Sequence, residues 1–172
     1  MGRIVMNKLS IVQKRWLLSL HVVFSAIMLG EAMVIVILSL TALTTKSGEL
    51  LNACYTILYL LSRTGERYAP IFAAVTGIML SVMTPWGLFR YYWVIVKEVL
   101  TLVAVAISMV GFYVWSMRGL SFISTEGLDA RQNPVFVVNN MELWTGIVLQ
   151  VISLASMFVI SVFKPWGRKR HK

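Results

Sequence analysis

From Trp16 to Leu43 the chain runs through apolar and small residues, and only His21 and Glu31 in that stretch ionise. The hydrocarbon core of a bilayer takes about 20 apolar residues in one helix, so a run of this length reads as a crossing with room for tilt. Trp16 suits the headgroup region, where an amphipathic ring is favoured. The basic segment Lys8 to Arg15 ahead of it has the look of a signal-peptide start. The apolar run continues too far and lacks a small-residue cleavage site, so a retained first helix is expected.

Composition extends this reading to the whole chain. With 172 residues, 58% hydrophobic, 13% charged and a mean hydropathy of +0.78, the chain has too little polar side chain to cover a soluble domain. At this length the expectation is a single all-α integral membrane domain over 1–172, a polytopic four-helix bundle. Its spans are placed at about 16–43, 69–83, 91–115 and 141–163. Leu50 to Leu61 is apolar but too short to cross, and Arg63, Glu66 and Arg67 separate it from the next run. An interfacial helix is expected there, with a broken hairpin of short helices as the alternative. Pro70 then falls in the first turn of span two, where its missing amide proton costs little. Asn139 and Glu142 have the spacing of a capping box for span four.

The net charge of +9 does not point to nucleic acid, because the basic residues flank apolar runs instead of forming a stripe interleaved with aromatics. They read as topology signals. Placing both termini in the cytoplasm puts Arg3, Lys8, Lys14, Arg15, Arg90, Lys164, Arg168, Lys169, Arg170 and Lys172 inside. Lys46, Arg63, Arg67, Arg118 and Arg131 are then left outside. Pro85-Trp86-Gly87 before Arg90 and Pro165-Trp166-Gly167 before Arg168 repeat one stop signal at the inner face. The partner implied throughout is the lipid bilayer. Association with itself or with another membrane protein is compatible with the chain, although no small-xxx-small face stands out.

Ionisable side chains inside hydrocarbon cost roughly 2.5–3.5 kcal/mol on insertion scales, so each calls for a role and a partner. Four qualify: His21, Glu31, Lys97 and Glu98. His21 and Lys97 enter their spans from the same side to similar depth, at about 1.5 Å per residue, so they can face one another. An imidazole there suits haem iron or a soft metal, and a lysine suits a propionate, a quinone oxygen or a carboxylate. Glu98 points about 100° away from Lys97 around the helix. Glu31, near the middle of span one, needs a proton, a cation or a polar cavity. Ten methionines raise copper, with Met79 and Met83 one turn apart and Met28 two turns from His21, although methionine is also a common apolar filler. The only cysteine, Cys54, excludes an intramolecular disulfide and a thiolate cluster. No metalloprotease, phosphate-loop or nucleophile-elbow motif is present, and no dedicated protein metal site is expected. His171 belongs to the basic tail, so two-histidine haem ligation within one chain is not expected.

The stretch Thr76-Gly77 through Thr84-Pro85-Trp86-Gly87-Leu88-Phe89-Arg90 to Trp93 and Lys97 resembles an uncharacterised family of small bacterial integral membrane proteins with four helices. His21 and Lys164-Pro165-Trp166-Gly167 are similar to it as well, so the resemblance covers most of the chain. It implies a multi-pass protein of the bacterial inner (cytoplasmic) membrane and no particular activity. More distantly, a histidine early in helix one and a lysine early in helix three look like the copper resistance protein D family and the HemJ-type protoporphyrinogen oxidases. That resemblance implies a tetrapyrrole, quinone or copper role for His21 and Lys97. The chain departs from it in having no further intramembrane histidine, and in having Leu29-Gly30-Glu31 where an aromatic-glycine pair would stand. The leading expectation is therefore an integral membrane protein of unassigned activity, with accessory subunit and small-solute transporter as the roles open to it. A haem- or quinone-linked redox protein is the first alternative and copper handling the second.

Overall fold

The computed structural model describes residues 10–84 and 87–167. The stop signal at Pro85-Trp86 and the basic residues before 10 and after 167 lie outside the described residues. Every regular element that is described is helical: α1 Ile11–Thr44, α2 Gly48–Arg63, α3 Gly65–Met83, α4 Tyr92–Ala106, a π turn Ile107–Gly111, α5 Phe112–Glu126, a 3-10 turn Gly127–Gln132 and α6 Pro134–Phe163. Three helical stretches are long and apolar enough to cross a membrane: Ile11–Thr44, Tyr92–Gln132 and Pro134–Phe163. Only 22%, 17% and 33% of their most apolar windows is buried by the protein itself, so the remainder needs an apolar surrounding.

Local chemistry accounts for the helix ends. Ser10 Oγ accepts from the Gln13 amide at 3.2 Å while Gln13 Oε1 accepts from the Ser10 amide at 2.9 Å, a reciprocal cap that starts α1. Ser47 caps α2 through the Leu50 amide at 3.3 Å. Thr64 ends α2 and begins α3, with φ −116° and ψ −95°, so the two helices form one column broken at a single residue. Asn133 caps α6 through the Val135 amide at 3.0 Å, with Pro134 in the first position, where no amide hydrogen is needed.

Several of these ends differ from the sequence reading. Helix six begins at Pro134, so Asn139 does not cap it; it lies inside the helix and donates from Nδ2 to the Trp115 carbonyl at 2.9 Å. The true cap, Asn133, lies six residues upstream and accepts from Val135 without a capping-box acid three residues on, since Phe136 stands there. The third apolar run continues past Trp115 through α5 to Glu126, and α3 starts at Gly65 and not at Ala69, placing Pro70 inside the helix. Segment 50–61 belongs to α2, whose Leu51, Cys54, Tyr55, Leu58 and Ser62 are buried on one face against α1 and α5.

Packing pairs fix the arrangement. His21 meets Ala73, Phe24 stacks on Phe72 with centroids 5.0 Å apart, and Glu31 meets Gly65, so α1 and α3 run antiparallel. Ser62 with Ser116 (3.2 Å) and Tyr55 with Gly119 set α2 against α5, and Ser108 with Gln150 sets the π turn against α6. Four columns result: α1, α2 with α3, α4 through α5, and α6. At the end holding the helix connections 44–48 and 126–134, Arg131 donates to the Ala42 and Thr45 carbonyls at 2.6 and 2.9 Å and ties the last turn of α1 down.

Candidate functional site

Between α1, α3, α4 and α6, toward the end where α3 stops and α4 begins, the columns stand apart around a cavity of about 580 Å³. The cause is side-chain size. Ala73, Ala74 and Gly77 on α3 and Ala104 on α4 face it, and none reaches across. A volume of this size with apolar walls and a few convergent polar groups is the usual form of a small-molecule site.

His21 is held at its wall. Its Nδ1 lies 3.0 Å from the Ala73 carbonyl and 3.1 Å from Thr76 Oγ1. The Thr76 hydroxyl donates to the Phe72 carbonyl at 2.7 Å, so both neighbours of Nδ1 act as acceptors. Nδ1 therefore carries a proton, and in the neutral ring Nε2 keeps a lone pair for a donor or a metal. Gly77 makes the ring position accessible, since a Cβ there would come within 3.0 Å of His21 Cε1. Lys97 lines the same cavity within electrostatic range of His21, as their matching depths predict. Glu98 lines it too: the cavity is wide enough for neighbours that point in different directions, and Glu98 Oε1 is buried without a hydrogen bond. Trp93 and Lys164 complete the polar rim.

Soft donors are sparse here. Met28 and Met157 line the cavity, whereas Met79 and Met83 do not. Met157 Sδ accepts from Thr101 at 3.3 Å. Among the described residues, no three of His, Cys, Asp and Glu gather as a metal site would require.

Glu31 is not part of the cavity wall. Its carboxyl lies against Gly65, in space that a Cβ would occupy, and beside it is Glu66, which is 0% exposed. Sequence reasoning treated Glu66 as a charge in a loop. A usable signal was present: Glu66, Ala69, Ala73, Thr76 and Leu80 follow helical spacing, and extending that stripe back one turn brings Glu66 into the core. Gln150, also 0% exposed, was missed in the same way on α6, between buried Leu143, Ile147 and Leu154.

Comparison with protein-family models, with curated proteins and with solved structures returned no match for this chain. The functional reading therefore stands on this geometry.

Proposed function

We propose that the chain is a multi-pass protein of a bacterial cytoplasmic membrane that binds an amphipathic small molecule in the cavity at His21 and Lys97. The ligand has an apolar body and a polar head offering an acceptor to Lys97 and a hydroxyl or metal to His21. A quinol or quinone and a carboxylated tetrapyrrole share that chemistry. The observation that carries this reading is the presence of His21, Lys97 and Glu98 on one otherwise apolar cavity. A lysine and a carboxylate this deep among apolar helices are costly unless they serve a polar guest. Haem, if bound, would be held by His21 through Nε2 and by Lys97 through a propionate. This role fits an accessory subunit or carrier as well as a redox partner.

The membrane placement proposed with it has the termini in the cytoplasm, supported by Lys14, Arg15, Arg90 and Lys164 at the cavity end of the columns. A hydrocarbon slab of about 30 Å measured from Trp16 ends a turn or two beyond the level of Glu31 and Gly65. Exposed Arg63 can then snorkel to the outer headgroups, and most of α2 stands beyond the hydrocarbon, packed upright on α1 and α5.

Purification in mild detergent, followed by an absorption spectrum and mass spectrometry of an organic extract, tests the function. A retained chromophore or lipophilic quinone, lost in His21→Ala and Lys97→Met, is the expected result. An extract matching that of an unrelated membrane protein, from cells supplied with haem and quinone, would sink it. For topology, Asp129→Cys and Gly167→Cys in a Cys54→Ala background should be labelled from outside and inside respectively; the reverse pattern overturns the orientation.

A further inference from the structure

One turn of helix beyond the inner end of the cavity, the same columns gather a second set of polar groups. Met28, Pro70, Ala104 and Leu154 line the cavity on α1, α3, α4 and α6, and Glu31, Glu66, Ser108 and Gln150 follow about one turn farther along. These side chains are far from satisfied. Glu66 is 0% exposed, and its carboxyl oxygens have no closely held hydrogen bond, only the Ser108 hydroxyl nearby to interact with their charge. Gln150 donates from Nε2 to Ser108 Oγ at 2.9 Å, but its Oε1 is buried without a partner. Glu31 Oε2 is buried and unpartnered as well. Ser108 stands beside Glu66, and Glu31 lies within electrostatic range of it.

The backbone is irregular at this level on two columns. Thr64 breaks the second column just before Glu66, and Pro70 has no amide hydrogen to give to the Glu66 carbonyl. Facing it, the π turn Ile107–Gly111 carries the fully buried Ser108. Turns of this kind recur at functional sites inside helices.

Glu66 and Glu31 lie at one level, Glu31 within electrostatic range of Glu66, with no basic side chain among the four residues gathered there. Arg63 and Arg67 are exposed, and His21 and Lys97 belong to the cavity. Buried carboxylates require compensation by a proton, a cation or hydrogen-bond donors. The available donors are all oxygens: carboxyl, amide and hydroxyl. Oxygen sets of this kind suit hard cations, and a broken helix within the membrane is a recurrent way for membrane proteins to coordinate Na⁺. We propose that Glu31, Glu66, Ser108 and Gln150 form a site for a dehydrated monovalent cation of the Na⁺ class, entered through the cavity. The ion takes the unused oxygens of Glu66, Glu31 and Gln150, and Ser108 is oriented toward it by the Gln150 amide.

The test is binding of radioactive Na⁺ to the full chain in nanodiscs of neutral lipid, with choline replacing Na⁺ at constant ionic strength. Saturable binding is expected, with affinity weakened at least about tenfold in Glu66→Gln and in Gln150→Leu. Should Glu66→Gln fail to fold, Gln150→Leu and Ser108→Ala carry the comparison, with helicity as the control for folding. The proposal is overturned by any of three results: no saturable Na⁺ binding, stronger displacement by Mg²⁺ or Ca²⁺ than by unlabelled Na⁺, or unchanged affinity in the folded variants. Retention of the cavity's chromophore or quinone is a separate readout, so failure of either site is seen independently of the other.

Discussion

Where α2 meets α5, the ring of Tyr55 occupies the space over Gly119, and between α5 and α6 Trp115 does the same over Gly146. At the opposite end, Ala73, Ala74 and Gly77 on α3 and Ala104 on α4 are also small; the His21 imidazole lies over Gly77, but no large ring fills the rest of the space, and a cavity of about 580 Å³ results. Small residues leave a notch beside the backbone, which is closed by the approach of the neighbouring helix, filled by a side chain, or left open. The half around α2 and α5, outer in the proposed orientation, is thus a packed support, with Leu51, Tyr55, Leu143 and Ile147 at its centre. The inner half keeps space beside ionisable groups. Between them lies the level of Glu31, Glu66, Ser108 and Gln150, where the columns are closely packed but the polar groups are unsatisfied.

Substitutions of opposite kinds should separate the halves. The largest effect is expected from Leu143→Ala in the packed half: Leu143 is 1% exposed, and emptying such a site costs about 2–5 kcal/mol. Denaturation in detergent would measure it, and a cost near zero would mean that the outer half is not the support. Next comes Gly119→Leu, whose side chain would fall on the Tyr55 ring; overpacking of this kind costs about 1–3 kcal/mol. The matched change in the inner half, Ala73→Leu, should alter stability by less than about 1 kcal/mol in either direction, since the cavity accepts the added carbons. It should nevertheless displace the ligand. An equal loss of stability in Gly119→Leu and Ala73→Leu would erase the distinction. Smallest of all in stability is Lys97→Met, expected to be neutral or mildly stabilising because it removes a buried charge from among apolar helices while weakening ligand binding.

How much of this was legible in the sequence follows the same division. The long helices of α1 and α6 are readable because their apolar runs exceed what any soluble helix needs. His21 and Lys97 could be brought to one level by counting helical rise from the ends of their runs, and the cavity places both on its wall. Glu66 and Gln150 could not be found by looking for charges inside apolar runs. Glu66 lies between Arg63 and Arg67, which makes it look like part of a loop, and uncharged Gln150 draws no notice. Their burial is a property of helix faces, visible only once α3 is known to begin at Gly65 and α6 at Pro134. The boundary errors share one cause. Polar residues such as Asn139 look like helix ends in the sequence, whereas a helix held by neighbouring helices continues past them, as α5 continues past Arg118.

Trp93, which lines the cavity, allows the most direct test of the account. A short-chain benzoquinone and, separately, a carboxylated porphyrin would be titrated into the wild-type chain in nanodiscs while tryptophan fluorescence is followed, with Trp93→Phe as the control for the remaining tryptophans. Saturable quenching by at least one of the two, absent in Trp93→Phe and abolished or shifted to much higher concentration in Ala73→Leu and Lys97→Met, is the predicted result. Quenching by both probes that rises linearly and is the same in all four proteins would contradict it.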